Sequence, residues 1–321
     1  MKIAFLADPL SGFKTYKDST FAMMREAARR GHAVHAFEQR DMVLEGGVVS
    51  AKVARIHLTG DADDWYRADP AEDVSLSTFD AIIERKDPPF DMEYVYGTYL
   101  LELAERQGAR VFNRPSAIRD HNEKLAIGQF SDYTSPTLVT SSEERLRAFH
   151  AKHGDVIFKP LDGMGGAGIF RVKSDGLNLG SIIETLTANG RHTIMAQKFI
   201  PAIEKGDKRV LVIGGKPVPF VLARIPQGGE VRGNLAAGGL GVAQPISERE
   251  RAIAEALGPV LAERGLLLVG LDVIGDFLTE VNVTSPTCFQ EIFDQTGFDV
   301  AAMFIDAVEQ EANKQAQQAS K

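Results

Sequence analysis

The chain has 321 residues, 44% of them hydrophobic and 25% charged, with a formal net charge of −8. That length can bury a sizeable core and argues for two or three domains, in a composition ordinary for a water-soluble protein. The acidic balance disfavours nucleic acid and anionic membranes as partners, the single Cys288 excludes an intramolecular disulfide, and no apolar run approaches membrane-spanning length.

Residues 3–7 form an apolar run too short for a secretory signal, so the cytoplasm is the expected compartment. Residues 2–7 read as a buried strand and 19–30 as an amphipathic helix with Phe21, Met24 and Ala28 on one face. Gly31 stops that helix, and residues 32–37 alternate like a returning strand. After an irregular, acidic stretch over 42–73, read as a surface excursion, the pattern repeats: a strand at 80–84, a helix at 94–107 ended by Gly108, and a strand at 110–113. The first third therefore reads as a small open α/β domain. Arg85, Lys86 and Asp87 follow an apolar strand directly, where open parallel sheets bind ligands, although a solvated turn is the simpler reading of that tripeptide alone.

A short helix starts at Asn113-Arg114-Pro115-Ser116, and a second carries Asn122-Glu123-Lys124 on to Phe130. Strands at 136–140 and 155–159 bracket a helix over 142–152 capped by Ser141 or Ser142. Lys159-Pro160-Leu161-Asp162 then leads into Gly163, Gly165, Gly166 and Gly168, followed by a strand at 169–172. Glycines let main-chain N–H groups converge on a phosphate without Cβ interference, and Lys159 adds a positive charge. The string also fits G-x-G-x-x-G, but a dinucleotide site needs a helix at the last glycine, and a β-like run stands there. Protein-kinase signatures and a Walker A string are absent. A glycine-rich hairpin without a ligand is the alternative.

A helix follows at 182–186 and a strand at 193–200, ended by Pro201. From Lys208 the chain turns antiparallel, with strands at 209–213 and 217–224 around Gly214-Gly215. The loop 226–241 holds six glycines and little that packs, so it reads as disordered or as a mobile lid. As a lid it would carry Arg232 and Asn234 over a reacting phosphoryl group. A helix spans 247–264 with Ile253, Ala256, Leu257, Val260 and Leu261 inward. An apolar hairpin, 266–274 and 277–283, comes next, and a polar tail, 309–321, is expected to fray. In that hairpin Glu280 and Asn282 share one face, and the short turn brings Asp272 nearly opposite. Two carboxylates and an amide suit Mg²⁺ bridging to phosphate oxygens, while a solvated sheet face is the plainer alternative.

Seven stretches together resemble bacterial glutathione synthetase, a family of the ATP-grasp ligases. They are Arg85-Lys86-Asp87-Pro88-Pro89-Phe90-Asp91, Asn122-Glu123-Lys124, the run from Lys159 to Gly166, 207–212, 223–230, 232–239 and 279–287. The resemblance implies α/β and α+β architecture: an N-terminal open parallel domain over 1–121, then subdomains over 122–200 and 201–321 that clamp ATP. It assigns Lys124, Lys159 and the loop glycines to the phosphates, Gln197 and Lys198 to adenine, and Asp207 to ribose. Asp272, Glu280 and Asn282 match the Mg²⁺ ligands, with Mn²⁺ as the alternative ion. Arg209 and Arg224 match the family's phosphate or carboxylate arginines. Arg85 and Asp87 resemble part of the dipeptide pocket, with Ser285 and Thr287 beside the acceptor end. Leu240 departs from the pattern, standing where close relatives are expected to carry a basic residue.

The implied reaction is ATP-dependent joining of γ-glutamylcysteine and glycine through an acyl phosphate, in a cytoplasmic homo-oligomer, dimer or tetramer. Small molecules are the implied partners. The rivals are another ATP-grasp carboxylate–amine ligase and a nucleotide-binding regulator without turnover. Cys288 reads as a small core residue, and the seven histidines show no metal spacing.

Overall fold

The computed structural model describes residues 1–163, 165–228, 232–235 and 238–319. The N-terminal elements are β1 (Lys2–Ala7), α1 (Ser19–Arg29), β2 (Ala33–Phe37), β3 (Met42–Glu45), β4 (Val48–Leu58), β5 (Tyr66–Ala68), β6 (Glu72–Ser75), β7 (Ala81–Arg85), α2 (Met92–Arg106), β8 (Val111–Phe112) and α3 (Pro115–Asp120). Parallel strands β2, β1, β7 and β8 form one half of the first sheet, with β8 at its edge, and β3 to β6 extend it antiparallel through β4. The stretch 42–73 is thus sheet and not an irregular excursion. Val49, Ala51 and Val53 alternate inward along β4, and Trp65 is buried, stacked on Phe13 and edge-on to Phe21.

Local chemistry sets the helix starts: Asp18 accepts from the Phe21 N–H at α1, and Asp91 from the Tyr94 N–H at α2. The buried face of α1 is Ala22, Met23, Met24 and Ala27, so the expected stripe is rotated, with Phe21 turned toward Trp65. Past α3, the expected helix through Lys124 is instead a run of tight 3₁₀ turns, Leu125–Tyr133, kinked at Phe130.

Next come β9 (Thr137–Thr140), α4 (Glu143–His153, capped by Ser142), β10 (Val156–Pro160), β11 (Phe170–Val172), α5 (Leu179–Thr187) and β12 (Ile194–Lys198). Their antiparallel sheet runs β11-β10-β12-β9, with Leu146 of α4 and Ile183 of α5 packed against Val156 and Phe158.

The last elements are β13 (Asp207–Ile213), β14 (Lys216–Pro217), β15 (Phe220–Ile225), β16 (Leu240–Pro245), α6 (Glu248–Glu263), β17 (Leu268–Ile274), β18 (Phe277–Asn282), α7 (Phe289–Thr296) and α8 (Val300–Ala319). The third sheet runs β16-β15-β13-β17-β18. Leu240 and Gly241 belong to edge strand β16, so the expected lid is shorter at its C-terminal end; its residues 229–231 and 236–237 lie outside the described residues. Ser247 and Glu250 close a capping box on α6, which buries Ile253, Ala254, Leu257, Gly258 and Leu261. Ala256 and Val260, expected inward, face solvent because the buried stripe follows the 253–257–261 line. The tail expected to fray is helical through Ala319 in α8, and residues 320–321 lie outside the described residues.

Two contacts tie these layers together. Asn113, just after β8, donates its amide to the Leu268 and Val283 carbonyls and accepts from the Leu268 N–H, at 2.7 to 2.9 Å. From the other end of the chain, α8 returns to α1: Phe304, Ile305 and Val308 join a core with Met23, Met24 and Ala27, and Arg30 pairs with Asp306 and Glu309.

Candidate active site

A cavity of about 360 Å³ takes its walls from β10 and β12 of the second sheet and from β13, β15 and β18 of the third. The glycine loop reaches it at Gly163, Gly165 and Gly166, and the acidic hairpin at Glu280 and Asn282. Lys124 touches both, pairing with Glu280 at 2.9 Å and donating to the Gly163 carbonyl. Lys159, buried at the end of β10, donates to the Thr279 carbonyl at 3.5 Å. Burial lowers the Lys159 pKa, and Glu280 opposes that shift. Gly166 holds φ +83°, and a Cβ there would stand 2.8 Å from Asn234 Oδ1 and 3.0 Å from Arg232 Cδ, so the loop and the expected lid meet at this residue. Arg232 also donates to the Gly166 carbonyl at 3.4 Å. Gly168 is not in the lining; it packs on Pro160 with φ +70° and shapes the turn.

The third sheet brings four opposite charges together. Arg209 grips Asp272 through Nε at 2.6 Å and Nη2 at 3.2 Å, and Arg224 reaches Asp272 at 2.8 Å and Asp207 at 2.6 Å. Burial works against the Asp272 charge, but the two guanidinium groups hold its carboxyl well below the usual range. Asp207 is pushed up to about 6 by burial, against the pull of Arg224. Among the described residues its Oδ1 is buried without a partner in the cavity wall, as an acceptor awaiting a hydroxyl would be.

Gln197 is buried in the same wall and donates to Thr137 Oγ1. The Lys198 N–H goes to the Pro136 carbonyl, which takes one main-chain donor away from the adenine role expected of this strand.

Asn282 donates its amide N–H to the Gly270 carbonyl, which leaves Oδ1 as its acceptor for the cavity. With the Glu280 carboxylate this is a hard oxygen donor set that fits a divalent ion. Asp272 sits behind them, 1% exposed, opposite Glu280 in the hairpin register. Among the described residues no cluster of three or more His, Cys, Asp or Glu could hold a metal through protein ligands alone. An ion at Glu280 and Asn282 would therefore need further oxygen donors from outside the chain.

Toward the N-terminal sheet, Ser285 donates to Asp87, and both line the cavity with Thr287. Arg85 is not in that lining. It is buried beside it, donating to Thr20 Oγ1 at 3.0 Å and to the Pro286 carbonyl at 3.1 Å.

Glu123 is a site residue for which the sequence offered no role. Its carboxylate accepts from the Val283 and Thr284 N–H groups and from Thr284 Oγ1, and burial and Glu280 raise its pKa. Its place between Asn122 and Lys124, in a stretch already singled out, was the available signal. Cys288 is 1% exposed in the cavity wall with its thiol pushed up by burial, which disfavours a thiolate nucleophile.

Two family models cover most of the chain. The prokaryotic glutathione synthetase N-terminal domain matches residues 1–119, and the ATP-grasp domain of the same family matches residues 123–297. The chain is 68% identical to a glutathione synthetase of Ralstonia nicotianae over 98% of this chain and 97% of that one. It is 58% identical to one of Nitrosomonas europaea over 97% and 98%. Among solved structures it is similar to D-cycloserine synthetase DcsG, with TM-score 0.67 and 16% identity over 97% of this chain and 100% of that one. It is also similar to the ATP-grasp ligase PsnB complexed with minimal precursor, Mg and ADP, with TM-score 0.63 and 18% identity over 97% and 98%. The fold is ATP-grasp.

Proposed function

The chain belongs to the prokaryotic glutathione synthetase family, and from that premise we propose that it joins γ-glutamylcysteine to glycine with conversion of ATP to ADP and phosphate. One observation carries this reading on the structural side: the glycine loop and the acidic hairpin line a single cavity, bridged by Lys124.

A carboxylate resists attack by an amine because oxide would have to leave. Phosphorylation of the cysteinyl carboxylate supplies phosphate as the leaving group, and the glycine amine then forms the amide. The protein's part is to position reactants and neutralise charge. Lys124, Lys159 and the N–H groups around Gly163, Gly165 and Gly166 hold the phosphates, Gln197 and Lys198 flank adenine, and Asp207 accepts from ribose. Arg209 and Arg224 balance the carboxylate and the transferring phosphoryl group, and Arg232 and Asn234 close over the loop to exclude water. Glu280 and Asn282, with Asp272 behind them, hold the divalent ion, which we assign as Mg²⁺ with Mn²⁺ as its substitute. When bound, that ion supplies positive charge to phosphate oxygens. Asp87, Ser285 and Thr287 border the place where dipeptide and glycine meet.

Small molecules are the partners in this reading, without nucleic acid or membrane. No helix among the described residues is long and apolar enough to cross a membrane. A cytoplasmic homo-oligomer, dimer or tetramer, divided at 121/122 and 200/201, completes the proposal. The test is ADP release with ATP, Mg²⁺, γ-glutamylcysteine and glycine, omitting one component at a time. ADP formed equally fast without γ-glutamylcysteine would overturn the assignment, and ATP binding without turnover would favour a regulator.

A further inference from the structure

The outer strand of the third sheet is β16, paired with β15 from Leu240 opposite Ile225 to Pro245 opposite Phe220. An edge strand leaves every second N–H and C=O without a strand partner. Gln295, in the last turn of α7, answers one of each: the Ala243 N–H donates to Gln295 Oε1 at 2.8 Å, and Gln295 Nε2 donates to the Gly241 carbonyl at 3.2 Å. A single side-chain amide thus takes the place of one residue of a further strand. The buried side of the same helix, Phe289 and Ile292, shares an apolar cluster with Leu222 of β15, and Ala243 and Leu235 pack against that cluster.

What β16 carries gives this contact a functional meaning. Leu235 rests on the start of the strand: a Cβ at Gly241 would stand 3.3 Å from Cδ2 of Leu235 and of Leu222. The Gly239 N–H donates to the Asn234 carbonyl at 3.2 Å and the Gly238 N–H to the Leu235 carbonyl at 3.0 Å. Approach is closest at two glycines, where a Cβ on Gly233 would stand 2.1 Å from the Arg224 carbonyl oxygen and one on Gly239 2.1 Å from the Gly233 carbonyl oxygen. The stretch 232–235 is therefore seated directly on β15 and on the residues leading into β16, and from that seat Arg232 and Asn234 meet Gly166 of the glycine loop. Gln295, Gly241 and Ala243 themselves stand outside the ATP cavity lining.

We infer that Gln295 is a positioning residue for the ligation: it fixes the free edge of β16, and through Gly239 and Leu235 it sets where Arg232 and Asn234 stand over the glycine loop. The inference rests on the ligase reading above. When Arg232 and Asn234 shift, water reaches the acyl phosphate. Its oxygen adds to the acyl carbon, the bond to phosphate breaks, and the dipeptide carboxylate, phosphate and a proton return, so ADP forms without a peptide bond. Blunting the edge against other chains would be a purely structural use of the same amide, and it makes no demand on that partition.

The test measures ADP and glutathione together, with ATP, Mg²⁺, γ-glutamylcysteine and glycine saturating, for the wild-type chain, Gln295→Met and Gln295→Glu. Methionine keeps the length and removes both hydrogen bonds, and glutamate keeps the acceptor for the Ala243 N–H. The wild type is expected to release about one ADP per glutathione and Gln295→Met several-fold more, with kcat for glutathione down about fivefold and KM for ATP within about twofold. Gln295→Glu should fall between them. A wild-type ratio in Gln295→Met overturns the role, whether its activity is intact or has fallen with its melting temperature. Should Gln295→Met fail to fold, Gln295→Glu decides by the same ratio. A wild-type chain that makes no glutathione sinks the ligase reading and this inference with it, whereas a wild type that ligates while both variants keep its ratio sinks the positioning role only.

Discussion

The Lys124 ammonium stands 2.9 Å from a carboxylate oxygen of Glu280, so a residue assigned to phosphate neutralises one assigned to metal. In the absence of nucleotide, a divalent ion must compete with that lysine. Lys124→Met is therefore expected to act in two directions. Mn²⁺ affinity without nucleotide should rise several-fold, because the ion no longer displaces an ammonium, while kcat/KM for ATP should fall at least about a hundredfold. Titration of Mn²⁺ by its electron spin resonance signal checks the first effect and ADP release the second. Chelation of the divalent ion should abolish turnover in both proteins, and added Mg²⁺ should restore it in the wild type.

Gly166 separates a local role from a global one. With φ +83° and a would-be Cβ within 3.0 Å of the Arg232 and Asn234 side chains, Gly166→Ala should cost only about 1–2 kcal/mol of stability, since both neighbours can swing aside. Turnover should drop by about tenfold or more, because the contact between loop and lid is displaced. Gly128→Ala, at an exposed glycine with nothing within 4 Å of its would-be Cβ, should alter neither. Thermal melting and kcat, measured side by side, make the comparison.

Glu84 gives the fold a pH dependence of definite sign. It is buried on β7, accepting from Tyr94 Oη and the Lys86 N–H, and burial pushes its pKa up to about 8 from an ordinary 4.5. Between those values the folded chain keeps a proton that the unfolded chain releases, so this group's contribution to stability declines as pH rises from about 4.5 to about 8. Glu84→Gln removes that term. Its unfolding free energy relative to wild type should climb across the window by an amount on the order of 4 kcal/mol. Urea unfolding at pH 5, 6.5 and 8 (each within about half a unit) measures it, and a difference independent of pH would contradict the assignment.

Asn113 is the stitch between the first and third sheets. Asn113→Ala leaves the Leu268 N–H and two carbonyls buried without their partner, and should destabilise the chain by about 3 kcal/mol. Urea unfolding should show a lower midpoint at an unchanged slope if the two sheets still unfold together.

Much of the cavity lining was legible because its residues stand in short contiguous runs. Lys159, the glycines behind it and the alternation of Glu280 with Asn282 are contiguous signals that survive without knowledge of the tertiary fold. What escaped needed distant partners. Asp272 reads as an open ligand along β17, but its two guanidinium neighbours arrive from β13 and β15. Arg85 reads as part of a dipeptide pocket shared with Asp87, while its contacts to Thr20 of α1 and to Pro286 turn it out of the cavity that Asp87 lines. In the fold, β3 to β6 were obscured because the acidic residues between strands outweighed a period-two pattern in β4 that Val49, Ala51 and Val53 display clearly.

The return of α8 to α1 sets an order of assembly. The apolar stripe of α1 is finished only by Phe304, Ile305 and Val308, so during synthesis the first helix to leave the ribosome waits nearly the whole length of translation for its cover. Its Met23, Met24 and Ala27 are the surface a chaperone would meet in the interval, and a message truncated before codon 300 would yield a chain that stays chaperone-bound however complete its ATP cavity.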